Sequence, residues 1–122
     1  LSLNRDIEAA RDASRKSICK LFHPIPHPYY DSQLRQLGFE EFADQASRLM
    51  PAGRLDEAMA LVPDEVVDRL TITGDVEQCA QRIQEYAGVS DELILARTGQ
   101  RSDNNTMADY DDLFDLINRV TK

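Results

Sequence analysis

Apolar positions recur at helical spacing along most of this chain. Ile7, Ala10, Ser14, Ile18 and Leu21 share one stripe, with Arg11, Arg15, Lys16 and Lys20 largely outside it, which predicts a first amphipathic helix. Asn4 or Asp6 can cap it by accepting bonds from its free N–H groups. Pro24, Pro26 and Pro28 end it and force an extended crossing, because each proline pushes its predecessor out of the α region. Residues 29–37 read as a short helix closed by Gly38 at the left-handed stop. Phe39, Phe42, Ala43, Ala46, Leu49 and Met50 form a second stripe that stops at Pro51. Leu55, Ala58, Met59 and Val62 form a third, and Pro63 starts a further turn through Val67.

The pattern changes over residues 67–97. Residues 70–73 are β-branched and short, and residues 1–3 alternate like a strand. Gly74-Asp75 then opens a helix predicted over 76–87. Asp75 with Gln78 three positions on is a capping-box pattern, and Val76, Cys79, Ala80, Ile83, Tyr86 and Ala87 follow at helical spacing before Gly88. Residues 93–96 are a continuous apolar run, the signature of a strand buried on both faces. Residues 98–105 are polar and loop-like. Thr106 caps a last helix in which Tyr110, Leu113, Phe114, Ile117 and Val120 share a face. The expected fold is mainly α with one or two short parallel strands. A lone parallel strand leaves backbone groups unpaired, so a further partner surface is expected.

Composition narrows the classes. The 122 residues are 42% hydrophobic and 30% charged, with a net charge of −8, enough for one small domain. The acidic excess and the lack of any Lys/Arg run argue against nucleic acid and anionic membrane as partners. Cys19 and Cys79 both fall inside helical patterns, giving neither metal spacing nor a disulfide framework, and a reducing cytoplasm is the expectation. No apolar run approaches a membrane span, and the start has no signal-peptide layout. The opening Leu1-Ser2-Leu3, in place of Met, reads as a cut into something longer, and a tagged or processed start would look alike.

The order of these features resembles the C-terminal end of the luciferase-like monooxygenase family, flavin- and deazaflavin-dependent oxidoreductases with a (β/α)8 barrel. Val67-Asp68, the strand at 70–73, Gly74, Asp75-Val76-Glu77-Gln78, Ile83-Gln84-Glu85-Tyr86, Gly88-Val89-Ser90-Asp91-Glu92 and the run 93–96 carry the resemblance. Asp75-Val76 stands where the family commonly has Thr-Pro, and Ser90 is an extra residue before Asp91. Upstream, residues 1–10 are similar to the end of the seventh strand and its helix start. The resemblance implies a single segment over 1–122, with a helical insertion at 22–66 and the last βα portion at 67–122: the end of strand 7, the insertion, strand 8 and the last helix. The first six strands, with most cofactor and catalytic positions, are absent on this alignment. The parent enzyme would use FMN or a deazaflavin coenzyme, while this segment alone is expected to bind neither tightly and to catalyse nothing. Its expected partner is the remainder of the barrel or a second copy in a homodimer. The competing reading is an independent, mainly helical homodimeric interaction module.

Candidate chemistry is sparse. Barrel active sites lie at the C-terminal ends of strands, so the resemblance puts Arg97, Thr98 and Gly99 on that face as cofactor-binding candidates. An Arg fork there suits a phosphate or an acidic substrate, and a solvated loop Arg is the plain alternative. Arg101 is a weaker candidate of the same kind. His27, Tyr29 and Tyr30, with His23, cluster around three prolines. The family's corresponding insertion lies beside the substrate cleft, which makes them substrate-lining candidates; the alternative is tyrosines packing a small helix and surface histidines. His23 and His27 have i, i+4 spacing, but the prolines exclude the helix that metal binding would need. Asp109, Asp111, Asp112 and Asp115 lack calcium-loop spacing, and the first three suit a helix N-terminus.

Overall fold

The computed structural model describes residues 1–90, 92–95 and 107–121. Its elements run β1 (Ser2–Leu3), α1 (Ile7–Lys20), α2 (Pro28–Gln36), α3 (Glu40–Leu49), α4 (Leu55–Leu61), α5 (Asp64–Leu70), β2 (Thr73–Gly74), α6 (Val76–Gln84) and α7 (Met107–Val120). β1 and β2 pair in parallel, with Ser2 opposite Thr73 and Leu3 opposite Gly74. Ser2 N–H donates to the Ile72 carbonyl at 2.7 Å and Asn4 N–H to the Gly74 carbonyl at 3.0 Å.

Alternation along the strands sorts their side chains onto two faces. Ser2 and Thr73 meet α1: Ser2 Oγ donates to the Ala10 carbonyl at 2.7 Å, and Ser14 Oγ lies 2.6 Å from Thr73 Oγ1. Leu3 and Ile72 instead join Cys79, Ala80 and Leu116, a cluster built with α6 and α7. A larger cluster fills the helical region: Ile18, Cys19 and Phe22 pack with Leu34, Phe42, Ala46, Met50, Ala58 and Val66. Phe22 and Phe42 meet edge to face, with centroids 5.9 Å apart, a geometry aromatic quadrupoles favour.

The local signals match these elements. Asp6 caps α1 by accepting from Ala9 N–H, while Asn4 Oδ1 accepts from Asp6 N–H. Gly38 takes φ 94° just after α2, the left-handed stop. Asp75 and Gln78 form the reciprocal capping box, with Asp75 Oδ1 accepting from Gln78 N–H at 2.9 Å and Gln78 Oε1 accepting from Asp75 N–H at 3.2 Å. Gly74 takes φ 141°, and a Cβ there would meet Gln78 Oε1 at 2.2 Å, so strand end and cap jointly demand glycine. Both cysteines are fully buried, and burial pushes each thiol up to about 11.

Three expectations are corrected. The strand expected over 93–96 is not formed across residues 93–95, and Ala96 lies outside the described residues. An apolar run records a tendency to be buried, not a pairing partner. Here Leu95 packs on the second cluster while Ile94 is 86% exposed. The strand expected at 70–73 starts later, because α5 runs on to Leu70. The core face of α7 is also different: Leu116 is fully buried, flanked by Leu113 and Val120, while Tyr110, Phe114 and Ile117 are exposed. α7 carries two adjacent apolar stripes, and periodicity alone does not say which one meets α6.

Candidate functional site

A parallel βα unit has two unlike ends. The turns after β1 and β2 form one end, where ligands of parallel α/β proteins bind. α1, 14 residues long, carries the chain about 21 Å back toward the other end, where α2 to α5 begin.

At the first end stand Asn4, Arg5, Asp6, Gly74, Asp75 and Gln78. Asn4, Arg5, Asp6, Asp75 and Gln78 each have a side-chain atom bonded within the chain. Asp6 and Asp75 occupy the first-turn donors of α1 and α6. Arg5 forks onto Asp112 of α7, with Nη2 2.8 Å from Oδ1 and Nε 3.0 Å from Oδ2. Gln78 fills the space against Gly74.

Between the two ends runs a chain of hydroxyls. Thr71 Oγ1 donates to the Val67 carbonyl, and Thr73 Oγ1 lies 2.6 Å from both Thr71 Oγ1 and Ser14 Oγ. On the surface, Arg11 pairs with Asp68 at 2.9 Å and Asp64 at 3.4 Å, and Arg15 with Asp64 at 3.2 Å and Asp12 at 2.6 Å. Hydrogen bonds from Arg15 and Arg11 hold the Asp64 carboxyl below the usual aspartate range. These contacts lock α1 against α5. Arg11 and Asp68 border a cleft of about 490 Å³ between α1, α5 and α6, which Gln78, Gln81, Arg82 and Glu85 also line. Each cation there is matched by an acid, so the cleft has no net preference for an anion.

The sequence-derived candidates separate. Arg97, Thr98 and Gly99 lie outside the described residues, as do Arg101 and Thr106. His27, Tyr29 and Tyr30 come together at the start of α2. His27 and Tyr30 ring centroids are 5.0 Å apart, and those of Tyr29 and Tyr30 are 5.1 Å apart. All three are exposed. They belong to the connection from α1 back to β2, so they meet one another rather than the turns after the strands. His23 is engaged separately, its Nδ1 3.3 Å from the Met50 carbonyl. Among the described residues, no group of three or more His, Cys, Asp or Glu side chains could hold a metal ion. No helix there is long and apolar enough to cross a membrane. Sequence reasoning did not find the Arg5–Asp112 fork or the Ser14–Thr73–Thr71 chain. Each joins residues distant in sequence, and no local period marks such a pair.

Two short parallel strands are thus joined through a helix and a helical excursion. Residues 1–92 match the family described as luciferase-like monooxygenase, and the chain belongs to that family. Over 69 residues it is 32% identical to a putative coenzyme F420-dependent oxidoreductase of Mycobacterium tuberculosis, covering 55% of this chain and 20% of that protein. The matched stretch thus spans about a fifth of that relative's length. No solved structure matches the chain.

Proposed function

We propose that the chain is the C-terminal part of a deazaflavin-dependent oxidoreductase built on a (β/α)8 barrel, and that it is inactive on its own. Residues 22–66 act as the helical insertion and residues 67–122 as the last βα portion, with the remainder of the barrel as partner. The observation that carries this reading is the parallel β1–β2 pair, linked through α1 in a chain that belongs to the luciferase-like family. The F420-dependent relative favours a deazaflavin over FMN. In the whole enzyme the coenzyme would supply the hydride chemistry. This segment would supply strand ends and the cofactor-contact candidates Arg97, Thr98 and Gly99, which lie outside the described residues. The helix N–H donors taken up by Asp6 and Asp75, and the Arg5 guanidinium held by Asp112, support weak coenzyme binding by the segment alone.

The test is fluorescence titration of the purified chain with coenzyme F420 and with FMN. No saturable binding at micromolar coenzyme is expected. Tight binding by the chain alone would overturn the reading of an incomplete site.

A second reading is an independent helical module that pairs with its own copy. It is favoured by the two closed clusters around Phe22 and Leu116, both fully buried within one chain. A cooperative melt together with a stable dimer and no coenzyme binding would favour it. A longer open reading frame with upstream βα units would favour the enzyme segment.

A further inference from the structure

The helical region holds a second cleft, of about 420 Å³, lined by Lys20, His23, Met50, Gly53 and Leu55. It lies where the last turn of α1 meets the bend between α3 and α4. Its volume falls within the usual range for small-molecule pockets. Its floor is apolar: Met50 is 5% exposed and belongs to the main core, and Leu55 packs against the same cluster.

Lys20 brings a full positive charge to its lining. Lys20 forms no ion pair with a carboxylate among the described residues, unlike Arg11, Arg15, Arg35 and Arg54, each of which has an acidic partner. No Asp or Glu lines the cleft, in a chain of net charge −8. His23 lies beside it. Its Nδ1 lies 3.3 Å from the Met50 carbonyl, which can only accept, so the His23 ring is held at the edge of the cleft by a contact within the chain.

We infer that this cleft binds a small amphipathic monocarboxylate, its hydrocarbon part against Met50 and Leu55 and its carboxylate at the Lys20 ammonium. Phosphate esters fit less well, because the floor offers hydrocarbon and the rim a single full cation. The site stands apart from the strand ends and does not depend on the oxidoreductase reading.

The experiment is calorimetric titration of the full chain with sodium octanoate, with 1-octanol and sodium acetate as comparisons. Octanoate is expected to bind saturably and one-to-one, and acetate not at all. Lys20→Gln should weaken octanoate about tenfold, the scale of one lost charged hydrogen bond, and leave octanol unchanged. Lys20 is exposed, so the variant should keep the wild-type circular dichroism spectrum. Amide shifts on octanoate addition should centre on Lys20, Gly53 and Leu55. Absence of saturable binding, equal affinity in Lys20→Gln, octanol binding as tightly as octanoate, or shifts centred elsewhere would each overturn the inference.

Discussion

Ser14 Oγ and Thr73 Oγ1 lie 2.6 Å apart where α1 crosses β2. The direction of this bond follows from its neighbours. Thr71 spends its proton on the Val67 carbonyl, so Thr73 must donate to Thr71, and Ser14 must donate to Thr73. Three hydroxyls thus point one way, from α1 through β2 to the end of α5.

Thr73→Val should therefore be more damaging than Ser14→Ala. The first leaves the fully buried Ser14 hydroxyl without its acceptor, at a cost of about 1–3 kcal/mol, whereas the second removes one donor, at about 1 kcal/mol. Chemical denaturation of both variants and the double variant measures this. Additive losses would break the proposed relay.

The junction of β2 and α6 should be the next most sensitive point. Asp75→Ala is expected to cost about 1 kcal/mol through the lost cap. Gly74→Ala should cost at least as much, because alanine is strained at φ 141° and its methyl would evict Gln78 from the box. Thermal unfolding checks both, and a neutral Gly74→Ala would refute the strand-end geometry.

Asp64 sets an acid dependence. Its carboxyl titrates below the usual aspartate range because Arg15 and Arg11 favour the charged form. The stability it adds is complete above the unfolded aspartate value and disappears as pH falls through the folded one. Asp64→Asn should lower the melting temperature at neutral pH, and the difference should close in acid. A gap independent of pH would contradict the ion-pair account.

Both thiols should be inert in the native chain. Cys19 and Cys79 are raised to about 11 by burial, and alkylation needs an exposed thiolate. Iodoacetamide at mildly alkaline pH should modify neither until denaturant is added, as read by mass spectrometry. The same shifts make stability fall as pH rises from the ordinary thiol value toward about 11.

The isolated chain should self-associate. Tyr110, Phe114 and Ile117 are respectively 39%, 55% and 40% exposed along one stripe of α7, an apolar surface of the kind that marks a contact site. Sedimentation equilibrium over a dilution series should show a dimer that Phe114→Glu disperses. A monomer at high concentration would show that this stripe tolerates water.

What the sequence disclosed was whatever is encoded locally. Asp75 and Gln78 announce their box in four consecutive residues, and Pro51 and Gly38 announce two helix ends. The helical stripe through Ser14 and Ile18 was legible because its period repeats. Ser14 read only as a small residue, since nothing nearby names Thr73 as its partner. Leu116 was passed over because α7 is apolar over a wide arc, and only the position of α6 decides which residue goes inside. The strand expected at 93–96 failed for a related reason: pairing depends on a neighbour that no local pattern specifies. At the candidate site, the fork from Arg5 to Asp112 spans nearly the whole chain.

α1 joins the strand pair to the helical core with one helix. Ala10 and Ser14 meet the strands, and one turn on, Ile18 and Cys19 anchor the helical cluster. The excursion between α1 and β2 is consequently not a removable cassette. A lineage that shortened it to a tight loop would strip the cover from Ile18 and Cys19. It would have to rewrite α1 in the same step. Insertions joined only at a loop tip can be traded between relatives; this one is rooted in the scaffold and is expected to be inherited with it.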